Sequence, residues 1–375
     1  MDAPPVGPLY IHCVGHGKPI VRLVALVPVL AVLIAAFAAS AEARAPRSFF
    51  GIQAWATPSK PEFRTIASAR LGTYRFTMLW SVVEFQKGAR NWGPMDEEVR
   101  GAAQNGMTPL PVLLGSPRFA APRYQYPPRS ASALGSYSAF VRDAAARYGR
   151  NGSFWKENPN VPYRPISSWQ VWNEPNFPAY WYGRPNARQY VSLVKRTRSA
   201  LRSADRKAKV MLAGLPTSRN RGAVSAPRFL RSIYRVRGAS RAFDAVAVHP
   251  YAGKATGVLR FVAGVRKVMN RAKDRRTSIH VTELGWGTGG MRTRNQRALV
   301  VSRRGQAARI KSSLRTLIRN RRRYRIGSAI VFCLRDRLPG ATESNYWALH
   351  AGLFTRGGKA KPAWRTYKSI VRRRR

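Results

Sequence analysis

Acidic residues are what this chain has least of. Its 375 residues hold 16 Asp and Glu against 67 Lys and Arg, a formal net charge of +51. Cysteine is scarcer still, with Cys13 and Cys333 alone, so no disulfide framework is available and stability has to come from a large core. Short repeats, low-complexity tracts and interdomain linkers are missing too, which excludes a solenoid or a string of modules. Disorder is excluded by 45% apolar and 11% aromatic content. The cationic excess invites a nucleic-acid reading. However, 53 of the 67 cations are Arg, spread along the chain as expected where a GC-rich genome favours Arg at solvated positions. No specific nucleic-acid partner is expected. The shortage of acids has a use, because a carboxylate lying inside an apolar strand is easy to find.

Residues 23–39, LVALVPVLAVLIAAFAA, form an apolar run preceded by Lys18 and Arg22 and followed by Ala39-Ser40-Ala41. This pattern predicts a secretory signal over residues 1–41. Its 17 residues reach the lower edge of a spanning helix, so an uncleaved membrane anchor is the alternative. Either way the protein is expected to be exported, secreted or associated with the cell envelope. Loss of the signal removes Cys13 and leaves Cys333 as a single thiol.

From residue 49 onward, short apolar runs alternate with longer helical patterns. Strands are predicted at 49–55, 73–80, 107–115, 167–174, 209–215, 243–251, 278–286 and 326–334. Helices are predicted at 95–105, 132–148, 187–204, 226–236, 257–273 and 295–320, where apolar residues recur three and four apart. Eight such alternations imply a parallel (β/α)8 TIM barrel over 46–371, with an open doubly wound sheet as the alternative. The basic stretches 319–325 and 372–375 read as a helix end and a tail. They also offer a means of attachment to an anionic envelope polymer.

In such a barrel, functional groups project from the carboxyl ends of the strands, and acids on helices are usually solvated. Glu62, Asp96, Glu97, Glu98, Asp143, Asp205 and Asp274 fall in or beside predicted helices, where caps and surface pairs account for them. Asp244 opens a strand at its amino end. Glu174 and Glu283 close the fourth and seventh strands, within WQVWNEPN and IHVTELGW. Burying an unpaired carboxylate costs several kcal/mol, so two at strand ends point to a site. Carboxylates facing each other across a gap are the machinery of glycoside hydrolysis.

The segment WQVWNEPN at 169–176 resembles the Asn-Glu-Pro signature of glycoside hydrolase clan A, and VTELGW at 281–286 resembles its nucleophile strand. The resemblance extends over 49–371, through YRFTMLWSVVEFQKG of the second strand and the closing AGLFTRGGKAKPAWRTY. Within the clan, the loop NFPAYWYGRPNARQYVSLV is most similar to families 39 and 5. Carried to this sequence, the resemblance implies Glu174 as acid/base and Glu283 as nucleophile of a retaining double displacement. It further implies that Asn173 bonds the sugar 2-hydroxyl, that Arg75 keeps Glu283 ionised, and that His249 and Tyr251 orient Glu283 or bind sugar. Retention calls for carboxyls ~5 to 5.5 Å apart and inversion for ~6.5 to 9.5 Å.

Trp55, Trp80, Trp172 and Trp286 lie near strand ends, where flat rings either stack on pyranose faces or pack. Of these, Trp80 and Trp286 are taken as substrate-binding. The clan often places Trp at the end of strand eight, whereas this chain has VFCLRDRLPG there, leaving Trp347 of the following loop as the substitute. GWGTGG at 285–290 matches a dinucleotide glycine pattern, but no acid occurs between Glu283 and Asp336 to hold a ribose. No metal spacing, cofactor motif or obligate protein partner is read. The expected partner is a carbohydrate substrate. A barrel that binds carbohydrate on the envelope without catalysis is the competing expectation.

Overall fold

Eight parallel strands close into a barrel. The computed structural model describes Met1 and residues 44–373 except 218–220, 295 and 342. The strands are β1 (Phe50–Gln53), β2 (Thr73–Leu79), β3 (Thr108–Leu114), β4 (Ser168–Val171), β5 (Lys209–Leu212), β6 (Ala245–His249), β7 (Ser278–Leu284) and β8 (Ile326–Phe332). Each is followed by a helix: α1 (Lys60–Ala67), α2 (Gly93–Gln104), α3 (Ala131–Tyr148), α4 (Ala187–Ala204), α5 (Ala226–Tyr234), α6 (Ala255–Arg271), α7 (Arg303–Arg319) and α8 (Pro362–Arg373). Strand β1 pairs with β2 on one side and β8 on the other, which closes the ring.

The strands are nearly continuous apolar runs because side chains facing the helices and side chains facing the lumen are both removed from water. On β2, Tyr74, Phe76 and Met78 are fully buried. Leu110, Met211, Ala245, Ala247 and Ile330 form a small apolar cluster of their own, drawn from β3, β5, β6 and β8. Helix starts follow local chemistry. The side chains of Ser130, Asn186 and Ser302 accept hydrogen bonds from the backbone N–H of Ala133, Gln189 and Gly305, capping α3, α4 and α7.

Three expectations need adjusting. The fourth strand stops at Val171 because Trp172 and Glu174 adopt φ of +67° and +45°, values that no strand contains. The run at 209–215 breaks after Leu212 and resumes as Leu215–Pro216, which pairs with Val248 and His249. A Cβ on Gly214 would lie 1.9 Å from His249 Nε2, so the chain passes the imidazole where only glycine fits. The helix after the seventh strand starts at its Ser302 cap and not at 295. The chain before it is held by the bridge between Gly287 and Val300.

Glu98, expected on a solvated face, is 6% exposed and accepts hydrogen bonds from Tyr74 Oη (2.8 Å) and Thr57 Oγ1 (2.8 Å). Burial pushes its pKa up to about 7, against the lowering effect of those two hydroxyls. No helix among the described residues is long and apolar enough to cross a membrane. The predicted signal lies outside the described residues, as does the end of the basic tail.

Candidate active site

Glu174 is placed by a turn that the surroundings over-determine. Left-handed φ costs a non-glycine residue on the order of 1–3 kcal/mol, and such positions persist only when packing and hydrogen bonds hold them. Trp172 is fully buried, donates its backbone N–H to Leu113 O at 3.0 Å, and donates its indole N–H to Tyr180 O at 3.0 Å. Asn176 pins the other end of the turn, donating to Pro216 O (3.1 Å) and Val224 O (2.7 Å). Glu283 lies where the pairing of β7 with β8 shifts register between Val281 and Leu284. A local irregularity of this kind re-aims side chains. It brings Glu283 and the neighbouring Thr282 into one network.

An oxygen from each glutamate and a ring nitrogen of His249 lie within 4.8 Å of one another. His249 Nδ1 is 2.8 Å from Glu174 Oε1, and its Nε2 is 3.1 Å from Thr282 Oγ1 and 3.5 Å from Glu283 Oε1. Arg75 Nη1 donates to Glu283 Oε1 at 2.7 Å, while Tyr251 Oη donates to Glu283 Oε2 at 2.5 Å. Behind them Arg75 also reaches Gln170 Oε1 (2.9 Å), Gln53 Oε1 and, at 3.4 Å, Asn173 Oδ1. Arg75 is 1% exposed, so its charge is balanced within this network.

The two carboxyls titrate in opposite directions. Burial raises the pKa of Glu174, the negative charge of Glu283 raises it further, and His249 and Arg75 counteract only in part. Burial would also raise that of Glu283, but His249, Arg75 and the Tyr251 hydroxyl outweigh it and leave the group below the usual carboxylate range. The pair titrates jointly, and its surroundings favour the protonated form of Glu174 and the ionised form of Glu283. The Tyr251 phenol is raised well above its ordinary value, first by burial and then by Glu283, so it remains a donor.

Glu174, Glu283, Arg75, Asn173, His249 and Tyr251 are thus brought to one place. Trp80 and Trp286 are not available to a sugar. Trp80 is fully buried between barrel and helix, stacked on Phe140 (5.9 Å) with Tyr137 and Phe119 on its edges, and its indole N–H donates to Glu84 Oε2 at 2.5 Å. Trp286 is also fully buried and donates to Ala252 O at 2.8 Å, tying the loops after β6 and β7 together.

Trp347 of the loop after β8 packs edge-on against Tyr251 at 4.7 Å. Its loop is fixed by Arg337, which pairs with Glu343 (2.6 Å) and covers Trp55 at 4.3 Å. Buried Lys361 completes the anchorage by pairing with Asp336 at 2.7 Å. Sequence reasoning passed over Gln53, Gln170 and Thr282. Their signal is a polar residue at an inward position of an otherwise apolar strand.

Glu174, His249 and Glu283 also have the donor types of a metal site, although none was expected. The guanidinium of Arg75 already occupies Glu283 Oε1, which places a fixed positive charge where a metal ion would have to bind.

No protein-family model and no curated protein matches the sequence. Solved structures do match it. A family 39 glycoside hydrolase from the gut symbiont Bacteroides cellulosilyticus WH2 aligns with a TM-score of 0.63 at 19% identity, over 88% of this chain and 64% of that one. This chain therefore spans just under two thirds of that neighbour's length. The GH39 β-xylosidase from Caulobacter crescentus gives a TM-score of 0.58 at 19% identity, over 88% and 72% of the two chains. Native xylanase 10B from Thermotoga maritima gives 0.58 at 14%, over 87% and 95%. The chain therefore has the (β/α)8 fold of the clan A glycoside hydrolases, the clan that its Asn-Glu-Pro and Thr-Glu-Leu segments resemble.

Proposed function

We propose that this protein is an exported retaining glycoside hydrolase that cleaves β-linked oligosaccharides or polysaccharides by double displacement. The observation that carries the reading is the pair Glu174 and Glu283, with an oxygen of one within 4.8 Å of an oxygen of the other and surroundings that push their pKa values apart, Glu174 up and Glu283 down. That spacing suits direct attack and is too short for the ~6.5 to 9.5 Å gap in which an inverting enzyme holds a water. Glu174 protonates the leaving glycosidic oxygen while Glu283 attacks the anomeric carbon and forms a glycosyl ester. Esterification removes the charge of Glu283, so the pKa of Glu174 falls and it becomes the base that activates water. Asn173 turns Oδ1 towards Arg75, which leaves its amide N–H groups for the sugar 2-hydroxyl, a contact that strengthens as the oxocarbenium-like state develops.

The test is a screen of aryl β-glycosides and polysaccharides. Aryl β-xylosides come first because the Caulobacter crescentus neighbour is a β-xylosidase. NMR of the first-formed sugar is expected to show the retained anomer, and release of no sugar from any substrate, or the inverted anomer, overturns the reading. Activity needs Glu283 ionised and Glu174 protonated. Hence kcat/KM falls in acid as Glu283 gains a proton and falls in alkali as Glu174 loses one. Replacing Glu174 by Gln is expected to abolish the alkaline limb and to slow hydrolysis of poor leaving groups by about 10²–10⁴-fold.

A second expectation concerns Gly214. Gly214→Ala drives a methyl into His249, and a displacement of that size is expected to lower kcat/KM by about 10²-fold. Circular dichroism separates this loss from unfolding, and a full-rate Gly214→Ala enzyme dismisses a positioning role for His249.

A further inference from the structure

On the same rim of the barrel as the two glutamates, beyond the ends of β2 and β3, lies a groove of about 470 Å³. It is lined by Ser81, Phe85, Ser116, Arg118, Arg123 and Tyr124, among others, and no acidic side chain contributes to it. Phe85 is 82% exposed and Tyr124 is 53% exposed. Single exposed aromatics are ordinary on a protein surface, but here two share one groove with two arginines. Arg118 and Arg123 are both exposed, and neither forms an ion pair among the described residues.

The loop that carries these groups is fixed in place. Gly115 turns it with φ of +89°, the backbone N–H of Ser116 donates to Tyr124 O at 2.9 Å, and Ser116 Oγ donates to Tyr126 O at 2.7 Å. From there a chain of rings and cations leads to the loop after Glu174. Arg123 lies over Tyr126 at 5.9 Å, Tyr126 meets Tyr182 edge-on at 4.8 Å, and Arg129 covers Tyr182 at 4.7 Å while donating to Tyr182 O at 2.6 Å. The groove is thereby linked to the loop that follows Glu174. Phe119, next to Arg118 on the same loop, packs edge-on against Trp80 at 5.8 Å.

We infer that this groove is a subsite for an acidic sugar, taking the carboxylate of a uronate residue that flanks the scissile bond. This rests on the glycosidase reading above. Exposed rings stack on the apolar faces of pyranoses, and guanidinium groups match carboxylates with two parallel hydrogen bonds. A neutral glycan would leave two cations unmatched beside it, whereas a uronate uses both kinds of group at once. The net charge of +51 acts in the same direction by steering polyanions towards the surface, with a strength that falls as salt rises.

The test compares a glucuronate-bearing β-linked oligosaccharide with its carboxyl-reduced, neutral counterpart, by calorimetry at 50 mM and 300 mM salt. Wild type is expected to bind the acidic form about tenfold tighter at low salt, the value of one well-made charged contact. Arg118→Gln/Arg123→Gln is expected to lose that preference while hydrolysing aryl glycosides at the wild-type rate. A control, Arg365→Gln/Arg372→Gln on α8, removes the same charge elsewhere and is expected to keep the preference. Equal binding of the two sugars by wild type, an unchanged preference in the groove variant, or an equal loss in the α8 variant overturns the proposal. Because binding is read directly, absence of hydrolysis bears on the glycosidase reading and leaves this comparison intact.

Discussion

Glu283→Ala is expected to lower kcat on an aryl β-glycoside by at least about 10⁴-fold, because removing the nucleophile of a two-step mechanism deletes both steps at once. Arg75, 1% exposed, then keeps only neutral partners in Gln53 and Gln170, so a loss of about 3–5 kcal/mol of stability is expected beside the loss of rate, and circular dichroism confirms that the variant assayed is folded. Adding azide sharpens the result. A small anion that fits the space left by the carboxylate attacks the same anomeric face, so activity returns and the product is a glycosyl azide of inverted configuration. Free sugar released at the wild-type rate by Glu283→Ala would falsify the assignment, and so would recovery in azide when Glu283 is intact and Glu174 alone is changed, if the product then had inverted configuration.

Arg75→Met is expected to be nearly as damaging for another reason. The methionine fills a similar volume but leaves Glu283, whose side chain is 10% exposed, without its cation. Breaking a buried pair from one side costs about 3–5 kcal/mol, or else the carboxyl takes up a proton to avoid it. The first outcome appears in denaturant unfolding. The second shifts the acid limb of kcat/KM upward, because Glu283 loses a group that holds its pKa down. Combining Arg75→Met with Glu283→Gln removes both charges and should restore stability while leaving the enzyme inactive. A double variant no more stable than Arg75→Met itself would mean that Arg75 supports the barrel through its neutral contacts and not through Glu283.

The alternation of strands and helices was legible because barrel strands are covered on both sides and so read as apolar runs of the right length. The two glutamates were legible for the complementary reason, as charges interrupting such runs. Local backbone geometry was not. Nothing in WQVWNEPN indicates that Trp172 and Glu174 turn left-handed, and nothing in KVMLAGLP marks the gap at Gly214, because the cause lies on β6 in the ring of His249. The helices α1 and α8 were missed, the first because it is short and starts beside prolines, the second because Arg and Lys obscure its apolar stripe.

Tryptophan was the poorest guide. Position near a strand end does not say whether a ring faces the mouth or the helix layer, and Trp80 and Trp286 both proved to be packing. Glu98 escaped for a similar reason. Its partners Tyr74 and Thr57 lie 24 and 41 residues away in sequence, so its burial is a tertiary fact.

The tryptophan that packs on Tyr251 arrives on a loop, fastened by Asp336 with Lys361 and by Arg337 with Glu343. A strand-borne tryptophan is shackled to the pitch of the sheet, and moving it means re-threading a barrel. Here the floor of the pocket behaves as a detachable cassette with two clasps. Descendants of this chain can lengthen, shorten or re-letter it between the clasps while the scaffold beneath goes on folding as before.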